Sequence, residues 1–155
     1  SKPKTGALIV IERNENLAYI EKTGILINGI VSSQLLINIF EHNTPLHDGA
    51  VLIRGNTVVS ATCYLPLSEN MRISKDLGTR HRAAIGISEV SDSITIVVSE
   101  ETGRVSVAIG GNLIKVNDKE GLKRELSVLL EDRKEDKNIS LLSKLLKGRG
   151  NDKDK

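Results

Sequence analysis

Tryptophan is absent from the 155-residue sequence, and Tyr19, Phe40 and Tyr64 are its only phenylalanine or tyrosine rings. A protein that stacks successive bases of a single strand on aromatic platforms needs more rings than this, so that class is disfavoured. Cysteine occurs once, at Cys63, so an internal disulfide is excluded and a reducing compartment is expected. Within "SATCYL" that cysteine reads as a buried, inert thiol. No apolar run approaches the ~20 residues of a membrane-spanning helix, and no secretory-signal pattern is present. The formal net charge of +2 is too small to mark a nucleic-acid or membrane surface. There is no internal repeat and no Walker-type or dinucleotide-binding glycine pattern. The opening "SKPKTG" lacks an initiator Met and is expected to continue a longer protein.

What is present reads as one soluble domain with a real core. Apolar residues make up 39% and charged residues 27%. "GALIVIE" (6–12) reads as a strand buried on both faces, and "TGILINGIV" as holding a short strand followed by Gly29. "SSQLLINIFEH" (32–42) reads as a helix capped by Ser32 or Ser33, with Leu35, Leu36, Ile39 and Phe40 as its apolar stripe. "AVLIRGNTVVSATCYL" (50–65) reads as a hairpin turning at Gly55-Asn56. A helix is expected from Thr79 to about Val90, with Ala83, Ala84, Ile87 and Val90 on one face. Strands are expected at 93–100, 103–109 and 113–116, then a helix capped by Asp118 that carries Leu122, Leu126, Leu129 and Leu130. Strands outnumber helices, and helices fall both between and after them. This predicts an α/β single domain, a mixed β-sheet with helices packed on its faces. The domain is expected over residues 1–131. Residues 132–155 are expected to be a charged C-terminal tail with one short amphipathic turn and a frayed end.

Three clusters can carry chemistry. In "GTRHRAAIGISE" (78–89), Arg80, His81 and Arg82 fill a first helical turn. Cations there oppose the helix dipole unless an anion sits among them. A polyphosphate would accept the unpaired N–H groups and engage the guanidinium forks. The plainer reading is solvated surface charge. In "LHDGA" (46–50), Asp48-Gly49 is a turn signal, but His47 and Asp48 can also ligate a divalent ion. Asp48 can equally accept a proton from a hydroxyl, and Gly49 can admit a ligand close to the backbone. In "VSEETG" (98–103), Ser99, Glu100 and Glu101 follow a buried strand, where open sheets place ligand sites, or else form a solvated strand end. Tyr64 beside Leu65 offers a purine shelf or ordinary core packing. Together these features imply a nucleotide-handling site with a metal.

At "HDGA" (47–50) and "TRHR" (79–82) the sequence resembles the diadenylate cyclase (DAC) domain family, whose enzymes join two ATP into cyclic di-AMP and release two pyrophosphates. The Asp-Gly-Ala and Arg-His-Arg signatures stand intact as Asp48-Gly49-Ala50 and Arg80-His81-Arg82. The resemblance covers about residues 6–131, and "SEVSDSITIVVSEETGRVSVA" (88–108) is similar to the membrane-anchored cyclases of Gram-positive bacteria. It implies the DAC-domain fold, with Asp48 activating a ribose 3′-hydroxyl for attack on the α-phosphate of a facing ATP. It implies that Thr79, Arg80 and Arg82 hold phosphates with His81 nearby. Gly49, Ala50, Tyr64, Leu65, Ser99 and Glu100 would lie at the nucleotide. His47, Asp48 and Glu101 would be the metal candidates, for Mn²⁺, Mg²⁺ or Co²⁺. It also implies an anchor upstream, this domain on the cytoplasmic side, and regulatory protein partners, with no nucleic-acid partner and no membrane contact by this fragment itself.

The chemistry agrees with the resemblance. Phosphoryl transfer between nucleotides needs in-line positioning, charge neutralisation and a base. A carboxylate is a weak base toward a hydroxyl, so a metal is expected to carry part of the task. One copy of each motif implies one ATP per chain, and the product has two equivalent phosphodiester bonds. Two protomers about a two-fold axis are therefore expected, each presenting its ATP to the other, so turnover needs a homodimer. The competing readings are a non-catalytic nucleotide-sensing module and a metal phosphohydrolase. A carboxylate beside phosphates argues against the first, and the lack of a second His/Asp cluster against the second.

Overall fold

The computed structural model describes residues 4–131. The chain divides into two compact units, one ending at Asn117 and one beginning at Asp118. In the first unit the order is β1 (Ala7–Ile11), α1 (Ala18–Glu21), β2 (Ile25–Ile30), α2 (Ser33–Ile39), β3 (Ala50–Arg54), β4 (Thr57–Cys63), α3 (Thr79–Val90), β5 (Ile94–Val98), β6 (Val105–Ile109) and β7 (Asn112–Val116). The strands form one sheet in the order β2-β4-β3-β1-β5-β6-β7. β1 runs parallel to β3, and the other neighbours pair antiparallel. The expected mixed sheet is the one observed.

Alternation along the strands sends side chains to two faces, and each face is covered by helices. Leu8, Val10, Ala50, Leu52 and Val97 pack with Leu17 and Ile20 of the α1 region and with Ala83, Ala84 and Ile87 of α3. On the other face, Ala7, Val51, Ile53 and Val58 pack with Ile39 and Phe40, with Leu35 and Leu36 against them. Val10, Leu52, Ile87 and Val97 are fully buried, and each contributes about 1.5–3 kcal/mol relative to exposure. Ser32 caps α2 as expected, its hydroxyl accepting the Leu35 N–H at 3.1 Å. Cys63 is buried, and desolvation pushes its thiol pKa up, so it is the inert thiol expected.

Several boundaries differ from the sequence expectation. Val90 is exposed, because α3 ends there and the extended Ser91 leads the chain away into β5. β2 runs through Gly29 to Ile30, as an edge strand. β5 stops at Val98, because the Ser99 hydroxyl accepts the Glu101 and Thr102 N–H groups and folds the chain into a turn. β4 stops at Cys63, so Tyr64 leaves the sheet and stands in solvent. The four-residue α1 was not foreseen, since one turn is too short to show helical periodicity.

In the second unit a helix covers 119–131, and the Asp118 carboxylate caps it by accepting the Gly121 N–H at 2.6 Å. No helix among the described residues is long and apolar enough to cross a membrane. The charged run after Glu131 and the amphipathic turn expected beyond it lie outside the described residues.

Candidate active site

Strand directions bring the candidate residues to one end of the sheet. β4, β3, β1 and β5 are successive neighbours. At one end the first residues of β3 and β1 lie beside the last residues of β4 and β5, as the pairs Ala50–Cys63 and Ala7–Val98 show. Asp48-Gly49 precede β3 there, Gly6 precedes β1, Tyr64 follows β4, and Ser99-Glu100 follow β5. The start of α3 reaches the same end. Arg80 forms an ion pair with Glu100 at 3.2 Å, and a Cβ added to Gly6 would sit 2.9 Å from the Arg80 guanidinium carbon. The site thus lies at the starts of the parallel pair β1 and β3. The strand-end rule for open sheets holds here for β4 and β5, which run the other way.

Gly49 has φ +80, and a Cβ there would meet the backbone of Thr62 and Cys63 at 2.9–3.0 Å. Thr62 itself has φ 55, and the β3–β4 register slips between Ala50 and Leu52. This is a bulge with a β-branched residue in the left-handed region, an uncommon arrangement beside the candidate site. The Asp48 carboxylate is exposed and accepts a bond from the Gly49 N–H, at 3.1 Å. Ala50 is fully buried in the core.

α3 begins at Thr79 after the N-cap Gly78, and no side chain caps it, so its first N–H groups are open to a ligand. Thr79 is exposed, while Arg80, His81 and Arg82 are half-buried. Burial lowers the His81 pKa, and the nearby Glu101 charge opposes this in part. His81 is therefore neutral near pH 7. Leu65 packs against the core, whereas the Tyr64 ring is exposed. An exposed tyrosine on a fixed backbone suits a ring face offered to a ligand better than the core-packing alternative.

For a divalent ion, His47 and Asp48 are the suited pair. The Thr44 carbonyl accepts from His47 Nδ1–H, which leaves Nε2 as the ligating nitrogen. Among the described residues no three His, Cys, Asp or Glu side chains converge, so Glu101 is not gathered with that pair within one chain. Two protein ligands completed by substrate phosphates is the pattern of a Mg²⁺-type ion at a nucleotide. The residues present fit such an ion.

The sequence reading missed Gly6 and Thr62. A glycine directly before a buried apolar run was the available signal for Gly6. Nothing local marked Thr62, whose conformation comes from the strand pairing.

The chain belongs to the DAC family: the family model described as DisA bacterial checkpoint controller nucleotide-binding matches residues 1–113. Among curated relatives, the cyclic di-AMP synthase CdaA of Bacillus subtilis is 59% identical over 126 residues, covering 81% of this chain and 46% of that protein. The diadenylate cyclase of Listeria monocytogenes is 57% identical over the same length, with the same shares covered. The chain therefore spans about half the length of these relatives. Among solved structures, a double mutant of DacA from Staphylococcus aureus superposes with a TM-score of 0.77 at 50% identity, covering 79% of this chain and 82% of that one. A hypothetical membrane spanning protein from Bacillus cereus gives 0.72 at 51% identity, over 74% of this chain and 56% of that one.

Proposed function

We propose that this chain carries the catalytic domain of a diadenylate cyclase, over residues 1–131, with a charged tail beyond. The observation that supports this most is the meeting of Asp48-Gly49, Tyr64 and the Arg80–Glu100 pair at one sheet end, in a chain 57–59% identical to proteins named for this activity. The residues divide the task. Tyr64 and Leu65 form a shelf for the adenine. The open N–H groups at Thr79 and the guanidinium groups of Arg80 and Arg82 hold phosphates and offset their charge. Neutral His81 donates or accepts a hydrogen bond without adding charge. Asp48 accepts the proton of a 3′-hydroxyl as its oxygen forms a bond to the α-phosphorus of the facing ATP. The bond to pyrophosphate breaks in the same step, and its second occurrence closes the ring. His47 and Asp48 would hold a divalent ion (Mn²⁺, Mg²⁺ or Co²⁺), which when bound polarises the α-phosphate and offsets charge. Glu101 is a further candidate ligand.

One Asp48 and one phosphate clamp per chain activate one end of the reaction. The reading therefore includes a two-fold dimer in which each protomer's Asp48 addresses its partner's ATP. The parent protein is read as membrane-anchored upstream, with this domain on the cytoplasmic side.

Incubation with ATP and Mn²⁺, followed by chromatography, tests the reading. Cyclic di-AMP is the expected product. Unchanged ATP would instead indicate a sensing module, and ADP or AMP a hydrolase. Specific activity should fall on dilution, and a constant value down to full dissociation would sink the dimer requirement.

A further inference from the structure

Tyr64 is 79% exposed, yet its backbone is pinned. β4 ends at Cys63, and the next amide, that of Tyr64, donates to the Thr23 hydroxyl at 2.8 Å. The same oxygen donates its proton to the Ile20 carbonyl at 2.6 Å. One hydroxyl thus ties the residue that presents the ring to the last turn of α1. Only serine or threonine supplies an acceptor and a donor at one atom of this size.

The anchor is itself held. Leu17 and Ile20 are buried, and the Leu17 N–H donates to Glu12 Oε2 at 3.0 Å. Arg54 makes two bonds to Glu12 at 2.9 Å each and a third to Glu21 at 3.1 Å. β1, the end of β3 and α1 are thereby fixed to one another. Beyond Thr23, a Cβ on Gly24 would collide with the Ala61 carbonyl, so this turn is pressed against the end of β4.

We propose that Thr23 is a positioning residue for nucleotide recognition, acting through Tyr64; this rests on the cyclase reading above. A ring on a loosened backbone must be ordered each time a nucleotide binds, and that ordering opposes binding. The adenine keeps the same contact in ground and transition state, so the loss falls on KM and leaves kcat in place.

The test compares full-chain Thr23→Val, Thr23→Ala, Thr23→Ser and Tyr64→Ala, each checked by thermal melting and assayed well below its melting point with ATP and Mn²⁺. KM for ATP should rise roughly three- to ten-fold in Thr23→Val and in the smaller Thr23→Ala, the range expected for one hydrogen bond. Their kcat should stay within about two-fold. Thr23→Ser should restore the wild-type KM, and adding Thr23→Val to Tyr64→Ala should cost nothing further. Wild-type KM in both Thr23→Val and Thr23→Ala, a raised KM in Thr23→Ser, or additivity in the double variant would overturn the proposal and leave the cyclase reading standing. A wild-type chain that makes no cyclic di-AMP overturns that reading and this one with it.

Discussion

Gly49 and Thr62 lie back to back across the β3–β4 bulge, and the Cβ that Gly49 lacks would stand 2.9 Å from the Thr62 Cα. Both residues are in the left-handed region, with φ 80 and 55. Gly49→Ala therefore adds a left-handed penalty and a backbone collision that no side-chain rotation relieves. The expected loss is at least about 2 kcal/mol, read as a lower denaturation midpoint at unchanged slope. An unshifted midpoint would show that the bulge gives way freely.

Asp48→Asn keeps shape and the bond from Gly49 N–H but removes the proton acceptor. The variant should melt like wild type and, titrated without metal, bind ATP at least as tightly, since a negative charge beside phosphates is gone. Cyclic di-AMP formation should drop by roughly 10²-fold or more. Retained turnover would refute the assignment of Asp48 as base.

Arg80→Ala and Arg82→Ala should each weaken ATP binding about ten-fold or more, the scale of a charge-assisted bond to phosphate. The salt dependence of binding should also become shallower than in wild type, because one screened contact is missing. Calorimetric titration at two ionic strengths checks both. An arginine whose loss changes neither is solvated surface charge.

His81 links stability to pH. Burial lowers its pKa below the ordinary value of 6.5, so the folded chain releases this proton more readily than the unfolded chain. Its contribution is intact above the unfolded pKa. It is lost as pH falls from there through the lower folded value. Between pH 7.5 and 5, wild type should therefore lose more melting temperature than His81→Asn. Equal losses would mean that the site solvates the imidazolium.

Arg54→Met removes the fork that spans Glu12 and Glu21. Arg54 is itself partly exposed, so the expected loss is roughly 1.5–3 kcal/mol, the range for hydrogen bonds to charged groups. Arg54→Lys should recover part of it, having charge without the fork. Denaturant titration of the three proteins decides whether the triad is structural.

Much of the layout was legible in the sequence. The strand "ALIVI" was visible because a strand buried on both faces is apolar throughout. Ser32, Gly55-Asn56 and Asp118 announced two helix caps and a turn, since those depend on local hydrogen bonding and backbone freedom. The resemblance carried by "HDGA" and "TRHR" named the family directly. Val90 was misplaced because helical spacing gives a face but not where the covering sheet stops.

The sequence by itself determined the chemical inventory: one carboxylate before a glycine, two arginines around a histidine, a tyrosine at the end of a strand. Only the tertiary structure decided that these share one end of a sheet, because that follows from strand order and direction, which no local pattern encodes. It also decided the backbone of Thr62 and the bond from Tyr64 to Thr23, 41 residues apart in sequence. Contacts so distant along the chain form only once packing has fixed the elements that carry them.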